Sequence, residues 1–321
     1  MRMLALTLAL VLAATHAAAQ SFPDKPVRFV VASGPGGSTD GVSRIVGDKL
    51  AEYWGQQLVH DNRPGAGGIL AAEIVARAVP DGYTILVGTS AGLAVSPGIY
   101  KKMPYDADKA FAPVSLAGTQ DYMLIANPTM ALSVASVKEL IAVAKAKPGY
   151  LSFSHTGSGT GTHLAAELFK SAAGVDLLSV PYKNITAAMI AVMSGEVPIS
   201  FVSIYTALPQ VRSGKARALA VTGEKRSPAA PELPTVAESG LPGYESRNWY
   251  GFLATAGTPR KTIDVLNASV LKALGDKDVR TRMTRQGMEP GGSTPEEFAR
   301  FIKSETVKYA KVVKAAGIRA D

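Results

Sequence analysis

The chain has 321 residues and 47% hydrophobic content, enough for a substantial core divided over more than one lobe. It contains no cysteine, which excludes disulfides and thiolate metal sites. Its net charge of +8 is spread without runs of one sign, which argues against nucleic acid and leaves a mild bias toward anionic ligands.

Arg2 precedes an apolar run over residues 4–14, and Ala17, Ala18 and Ala19 close it before Gln20. This is the pattern of a secretory signal peptide, predicting export with cleavage after Ala19. The run is too short to span a bilayer, and Gly, Pro or charge interrupts every later one. A lipoprotein anchor would need a cysteine at the cleavage site.

Residues 27–32 are rich in β-branched and aromatic side chains and predict a strand. Gly34-Pro35-Gly36-Gly37-Ser38-Thr39-Asp40 follows, then a helix with its apolar face at Val42, Ile45, Val46 and Leu50. A helix starting after such a turn leaves its first N–H groups unpartnered, and its dipole favours negative charge. That makes the turn a place to hold an anion. A short strand over 57–60 leads to a second glycine loop over 62–68 and a helix through Leu70, Ile74, Val75 and Ala78. A third strand over 83–87 ends in Gly88-Thr89-Ser90-Ala91-Gly92. The alternation predicts a parallel, doubly wound α/β sheet, with the loops at the carboxyl ends of its strands along one binding edge.

Residues 113–117 and 123–126 read as two further strands, and Ser136-x-x-Glu139 as a capping box opening a helix. The opening pattern then returns. A strand over 150–154 leads to His155-Thr156-Gly157-Ser158-Gly159-Thr160-Gly161-Thr162 and a helix through Leu164, Leu168 and Phe169. Two such units suit two similar lobes facing one cleft. Strands over 177–180, 199–202 and 216–221 continue the alternation, with a helix around Ile185, Met189 and Val192. The Pro-rich stretch 228–243 reads as an irregular connection between lobes. A strand over 249–254 and helices opening at Thr258-Pro259 and Thr294-Pro295-Glu296-Glu297 complete the chain. Trp249 and Tyr250 read as core more readily than as cleft lining.

None of the glycine loops is a nucleotide motif. No Walker lysine follows Gly36-Gly37, and a dinucleotide turn would need glycine at Thr39, Leu70 or Thr162. The loops together fit a smaller anion such as a carboxylate, although any single one also reads as an ordinary tight turn. No cofactor is expected.

Several stretches resemble the Bug/TctC family. They include residues 35–40, 62–68, Asp81-Gly82-Tyr83-Thr84, Phe111-Ala112-Pro113-Val114 and Glu167-Leu168-Phe169. Val180-Pro181-Tyr182-Lys183, residues 217–222, Pro234-Thr235-Val236-Ala237-Glu238 and Thr294-Pro295-Glu296-Glu297-Phe298 extend the match over the whole mature chain. These are extracytoplasmic solute-binding proteins of tripartite tricarboxylate transporters. The resemblance implies a two-lobed periplasmic binding protein of the type II-like fold, each lobe a mainly parallel doubly wound sheet flanked by helices. It implies a monomer that closes on a small carboxylated ligand, hands it to the transporter's membrane subunits and performs no chemistry. The expected lobes are 20–121 with 227–321, and 122–226, with crossovers near 120–123 and 221–227.

Carried over by position, the ligand contacts would be Gly36, Gly37, Ser38 and Thr39, with Thr89 and Ser90 nearby. Thr156, Gly157, Ser158, Gly159 and Thr160 would face them from the second lobe. Two departures stand out. The family usually has an aromatic residue and a proline where this chain has Ser33 and Gly34, and often an aspartate where it has Val202 beside Ser203. The expected ligand therefore has one carboxylate on the glycine loops and an apolar body directed toward Val202.

A secreted serine hydrolase is the rival reading, because residues 88–92 fit the Gly-x-Ser-x-Gly elbow around Ser90. That elbow needs a histidine base late in the chain, and the only histidines after Ser90 are His155 and His163. Their spacing is not that of a zinc-binding helix, so they read as loop and helix-face residues.

Overall fold

A computed structural model describes residues 22–129 and 134–319; the expected signal peptide, 1–19, lies outside the described residues. The first unit alternates β1 (Val27–Val31), α1 (Ser38–Trp54), β2 (Leu58–Asn62), α2 (Ile69–Ala76) and β3 (Thr84–Thr89). The strands β2, β1 and β3 are parallel, as the alternation requires. A π-helical turn (Ala91–Val95) and the short α3 (Ser96–Ile99) follow.

The sheet then changes character. β4 is one strand of 16 residues, Phe111–Ala126, where the sequence suggests two. Gly118 and the polar residues after it look like a break, yet they stay in pairing through irregularities in the ladder. Glycine is needed at 118 because a Cβ there would lie 2.5 Å from the Glu289 carbonyl of the short β10 (Met288–Pro290).

The first part of β4 pairs antiparallel with β9 (Arg247–Thr255), and its last residues pair antiparallel with β7 (Ile199–Ser203) and β8 (Arg217–Val221). β4 therefore belongs to both lobes. The second lobe also holds α4 (Val137–Ala146), β5 (Ser152–His155), α5 (Gly161–Ala173), β6 (Leu178–Pro181), α6 (Ile185–Ser194) and α7 (Ile204–Arg212). The helices α8 (Arg260–Gly275), α9 (Lys277–Arg285) and α10 (Pro295–Ala316) return to the first lobe. Here β7, β5 and β6 are parallel, so each lobe is parallel at its outer strands and antiparallel where the chain crosses.

Each lobe has apolar clusters on both faces of its sheet. In the first, Phe29, Val46, Leu50 and Phe252 pack on one face, and Leu86, Trp249 and Phe298 on the other. Gly251 leaves the space that the Phe298 ring fills, because a Cβ would lie 2.0 Å from that ring. Burying one such ring contributes about 1.5–3 kcal/mol. In the second lobe Phe153, Phe169, Phe201 and Leu124 form one cluster and Met123, Val202 and Ile204 another.

The stretch 227–246 differs from its expected assignment to the first lobe. Val236, Leu241 and Tyr244 pack in the second-lobe cluster with Phe169, and Ala230 packs with Val202. Thr235 bridges Val221 of β8. Its prolines suggest a linker, but its apolar residues cover the second sheet, and the chain recrosses at Ser246 and Arg247.

At the crossing, Asp121 pairs with Arg247 in register. The Arg247 guanidinium donates to Asp121 at 2.6 Å and to Glu289 at 2.5 Å. On the second-lobe side, the Thr222 hydroxyl accepts from Tyr122 N–H at 2.8 Å and donates to the Ser246 carbonyl at 2.6 Å.

Candidate functional site

A cavity of about 540 Å³ lies between the lobes. Its lining is assembled from the starts of helices and from the crossing strands.

At α1 the N-cap is Gly37, which offers no capping side chain, so the first-turn N–H groups remain for a ligand. Gly37, Ser38, Thr39 and Gly36 all line the cavity. Gly36 sits at φ +78, a conformation that favours glycine. Its N–H donates to Asp40 Oδ2 at 2.9 Å, which also accepts from Arg44 at 2.9 Å. Asn62 donates to Asp40 Oδ1 and to the Ser33 carbonyl, both at 3.0 Å. Burial alone would raise the Asp40 carboxyl, but the bonds from Arg44, Gly36 and Asn62 outweigh it and hold it below its ordinary value. Asp40 is therefore an ionised strut that shapes the loop. Ser33 does not line the cavity; its hydroxyl donates to the Gly34 carbonyl at 3.2 Å within the turn.

Thr89 and Ala91 line the cavity. Ser90 is buried beneath it and donates to Asn248 Oδ1 at 2.7 Å. With its oxygen engaged, the Asn248 amide can turn its NH₂ toward the cavity it lines. No histidine bonds to Ser90 among the described residues. His60 is held by Ser43 at 2.7 Å, and His155 and His163 are engaged across the cleft.

In the second lobe the structure selects a different part of the predicted loop. Thr156, Gly161 and Thr162 line the cavity, whereas Gly157, Ser158, Gly159 and Thr160 do not. Two of these N–H groups are already engaged. Gly157 N–H donates to His155 Nδ1 and Gly159 N–H to His163 Nδ1, both at 3.1 Å. The Thr160 hydroxyl turns back to the Gly157 carbonyl at 2.7 Å. The Thr156 hydroxyl contacts that of Thr162 at 3.1 Å, fixing the donors at the start of α5.

The start of α7 contributes Ser203, Tyr205 and Thr206, with Ser203 and Thr206 hydroxyls 2.9 Å apart. Ile185 and Thr186 come from the start of α6. Val202 does not line the cavity. It is fully buried against Met123 and Ile204, because alternation along β7 turns it away from the cleft while Ser203 faces it. Val202 therefore does not supply the expected apolar end; that end of the cavity is a mixed wall in which the hydroxyls of Thr186, Ser203 and Thr206 stand among Ile185, Tyr205 and Pro209.

The back of the cavity is a part that sequence reasoning missed. Gln120 and Tyr122 of β4 line it with Asn248 and Tyr250 of β9. The Tyr250 hydroxyl donates to Gln120 Oε1 at 2.7 Å, and Gln120 donates to the Gln286 carbonyl at 2.9 Å. Burial pushes the Tyr250 phenol up to about 12, so it stays a donor. The intervening Thr119, Asp121 and Arg247 line a separate cavity of about 460 Å³ on the other face of this ribbon. Period-2 alternation through 119–122 and 247–250 was the available signal.

Among the described residues no charged side chain lines the interlobe cavity, and no cluster of His, Asp or Glu could hold a metal. The starts of α1, α5, α6 and α7 converge on it and supply positive potential without a formal charge. Such a site can hold an anion by hydroxyls and N–H groups.

Two α/β lobes joined by crossing strands around such a cleft define a two-lobed periplasmic binding protein fold. The chain belongs to the TctC family, the tripartite tricarboxylate transporter family receptors, whose profile matches residues 42–318. It is 34% identical over 307 residues to protein BugT of Bordetella pertussis, covering 95% of this chain and 94% of that one. The structure is similar to that of R. palustris Rpa4515 with adipate, at TM-score 0.86 and 35% identity, over 93% of this chain and 99% of that one. MatC of Rhodopseudomonas palustris with bound malate is similar at TM-score 0.81 and 32% identity, over 91% and 100% of the two chains.

Proposed function

We infer that the protein is a periplasmic receptor that captures a small carboxylate between its lobes and delivers it to the membrane subunits of a transporter. The observation that carries this reading is a cleft of about 540 Å³ lined by hydroxyls, amides and helix starts, with no charged side chain among the described residues. The protein is exported with loss of residues 1–19. Its lobes are 20–121 with 247–321, and 122–246, and it works without a cofactor. One carboxylate sits on Gly37, Ser38 and Thr39, with Thr89 nearby and Thr156 and Thr162 facing it. The hydroxyls of Thr186, Ser203 and Thr206 favour a second oxygen-bearing group on the ligand, and Ile185, Tyr205 and Pro209 beside them suit its carbon chain. Support also comes from the adipate and malate found with the two structural relatives.

Calorimetry with malate, adipate, citrate and benzoate tests this. At least one diacid binds, and more tightly than benzoate; a panel without binding, or with benzoate tightest, overturns the reading.

Ser90 acts through Asn248 and is no nucleophile. Ser90→Ala weakens diacid binding by about 0.5–1.5 kcal/mol, the net value of one neutral hydrogen bond. A serine-reactive phosphonate leaves the protein unlabelled. Ester turnover with labelling at Ser90 would instead establish a hydrolase.

A further inference from the structure

Tyr122 is the first residue beyond the crossing on β4, and its ring is buried in the second-lobe core with 6% exposure. Its backbone is fixed on both sides. Tyr122 N–H donates to the Thr222 hydroxyl at 2.8 Å, and Thr222 N–H donates to the Tyr122 carbonyl at 3.0 Å. These bonds fix the point from which the side chain departs, and the core packs around the ring.

Its hydroxyl differs from those of the other buried tyrosines. Tyr105 donates to the Gly92 carbonyl, Tyr244 to that of Ala165, Tyr250 to Gln120 and Tyr309 to the Arg247 carbonyl. The Tyr122 hydroxyl bonds to no group among the described residues, although a buried phenol ordinarily finds a partner. It reaches the start of α5 at Gly161, where an added Cβ would lie 1.7 Å from the hydroxyl oxygen. Tyr122, Gly161 and Thr162 all line the interlobe cavity. Glycine at 161 leaves the phenol its place at the cavity wall.

We propose that the Tyr122 hydroxyl is a specificity-determining contact that donates a hydrogen bond to a carboxylate oxygen of the bound ligand. The proposal rests on the carboxylate-receptor reading above. Burial raises the phenol well above its ordinary value, so at neutral pH the group is a donor and cannot repel an anion. The contact falls on the residue where the chain passes between lobes. A ligand held by Gly37 to Thr39 and by Tyr122 is thereby gripped from both sides of the crossing.

The test compares wild type with Tyr122→Phe, which removes only the hydroxyl. Calorimetry uses adipate and malate, and thermal unfolding is measured without either. The unliganded variant unfolds at the wild-type temperature, because the hydroxyl bonds to no described protein group. Its affinity for the diacid that wild type binds falls roughly 10- to 150-fold, the range for a hydrogen bond to a charged group. Undiminished affinity in Tyr122→Phe overturns this assignment and leaves the receptor reading standing. A marked fall in unliganded unfolding temperature makes the hydroxyl structural and also overturns it. A wild type that binds neither diacid overturns the assignment together with the reading beneath it.

Discussion

Thr222→Val is expected to destabilise the protein by about 2–6 kcal/mol, while Thr222→Ser stays within about 1 kcal/mol of wild type. Thr222 is fully buried beside the crossing. Its hydroxyl accepts from Tyr122 N–H and donates to the Ser246 carbonyl, which join the outgoing and returning strands. Valine fills the same volume without the hydroxyl, so both backbone groups lose this partner where water cannot replace it. Each buried group left unsatisfied costs about 1–3 kcal/mol, and two such losses are a large share of the roughly 5–15 kcal/mol that holds a domain folded. Serine keeps both bonds and gives up one methyl group. Urea unfolding of the two variants measures the difference. A valine variant as stable as the serine variant would show that the hydroxyl does not tie the strands.

The parts of the fold that were legible in the sequence are those whose signals are local. The strand, glycine turn and helix over 27–54 carry their own periodicities, and Ser136 and Thr294 cap their helices as the spacing predicts. The cavity-lining turn Gly36 to Thr39 could be picked out for the same reason, since its residues are consecutive. The second-lobe loop misled because its outcome depends on side chains flanking it. His155 and His163 take the N–H groups of Gly157 and Gly159, and only the folded loop brings those rings within 3.1 Å. Alternation along their strands could place Gln120 and Tyr250 on one face, but not their contact, which joins residues 130 apart through antiparallel pairing. Tyr250 is fully buried and yet lines the cleft, so a choice between core and site was the wrong choice for it. The prolines between 228 and 243 marked irregular backbone correctly, but irregular backbone can still cover a core.

Acidification from pH 6.5 to 4 is expected to remove about 2–3 kcal/mol of stability through His163 alone. The rings of His155 and His163 stack with centroids 4.4 Å apart, and Phe153 stacks on His163. Accepting the Gly159 N–H at Nδ1 requires the neutral ring, as does His155 accepting from Gly157. Burial first, then the neighbouring His155 and Lys170, lower the His163 pKa to about 4. Glu167 lies 3.7 Å from His163 Nε2 and would favour the proton, but it is bonded at 3.0 Å to Lys170. The sign follows from linkage. Unfolded histidine takes its proton near 6.5 and folded His163 only near 4, so between those values the unfolded state binds more protons and gains. His60 and His155 are lowered by burial and act in the same direction. Buried Asp121 and Glu305 are raised and act against it, while Asp40 and Asp61 are lowered and contribute their loss only further into acid. Proton NMR of the imidazole ring should show His163 titrating near 4, with unfolding free energy declining across the window above it. His163→Gln, which does not titrate, should flatten that decline. A His163 resonance titrating at 6.5 would show that the loop at the cleft is not held by a neutral ring.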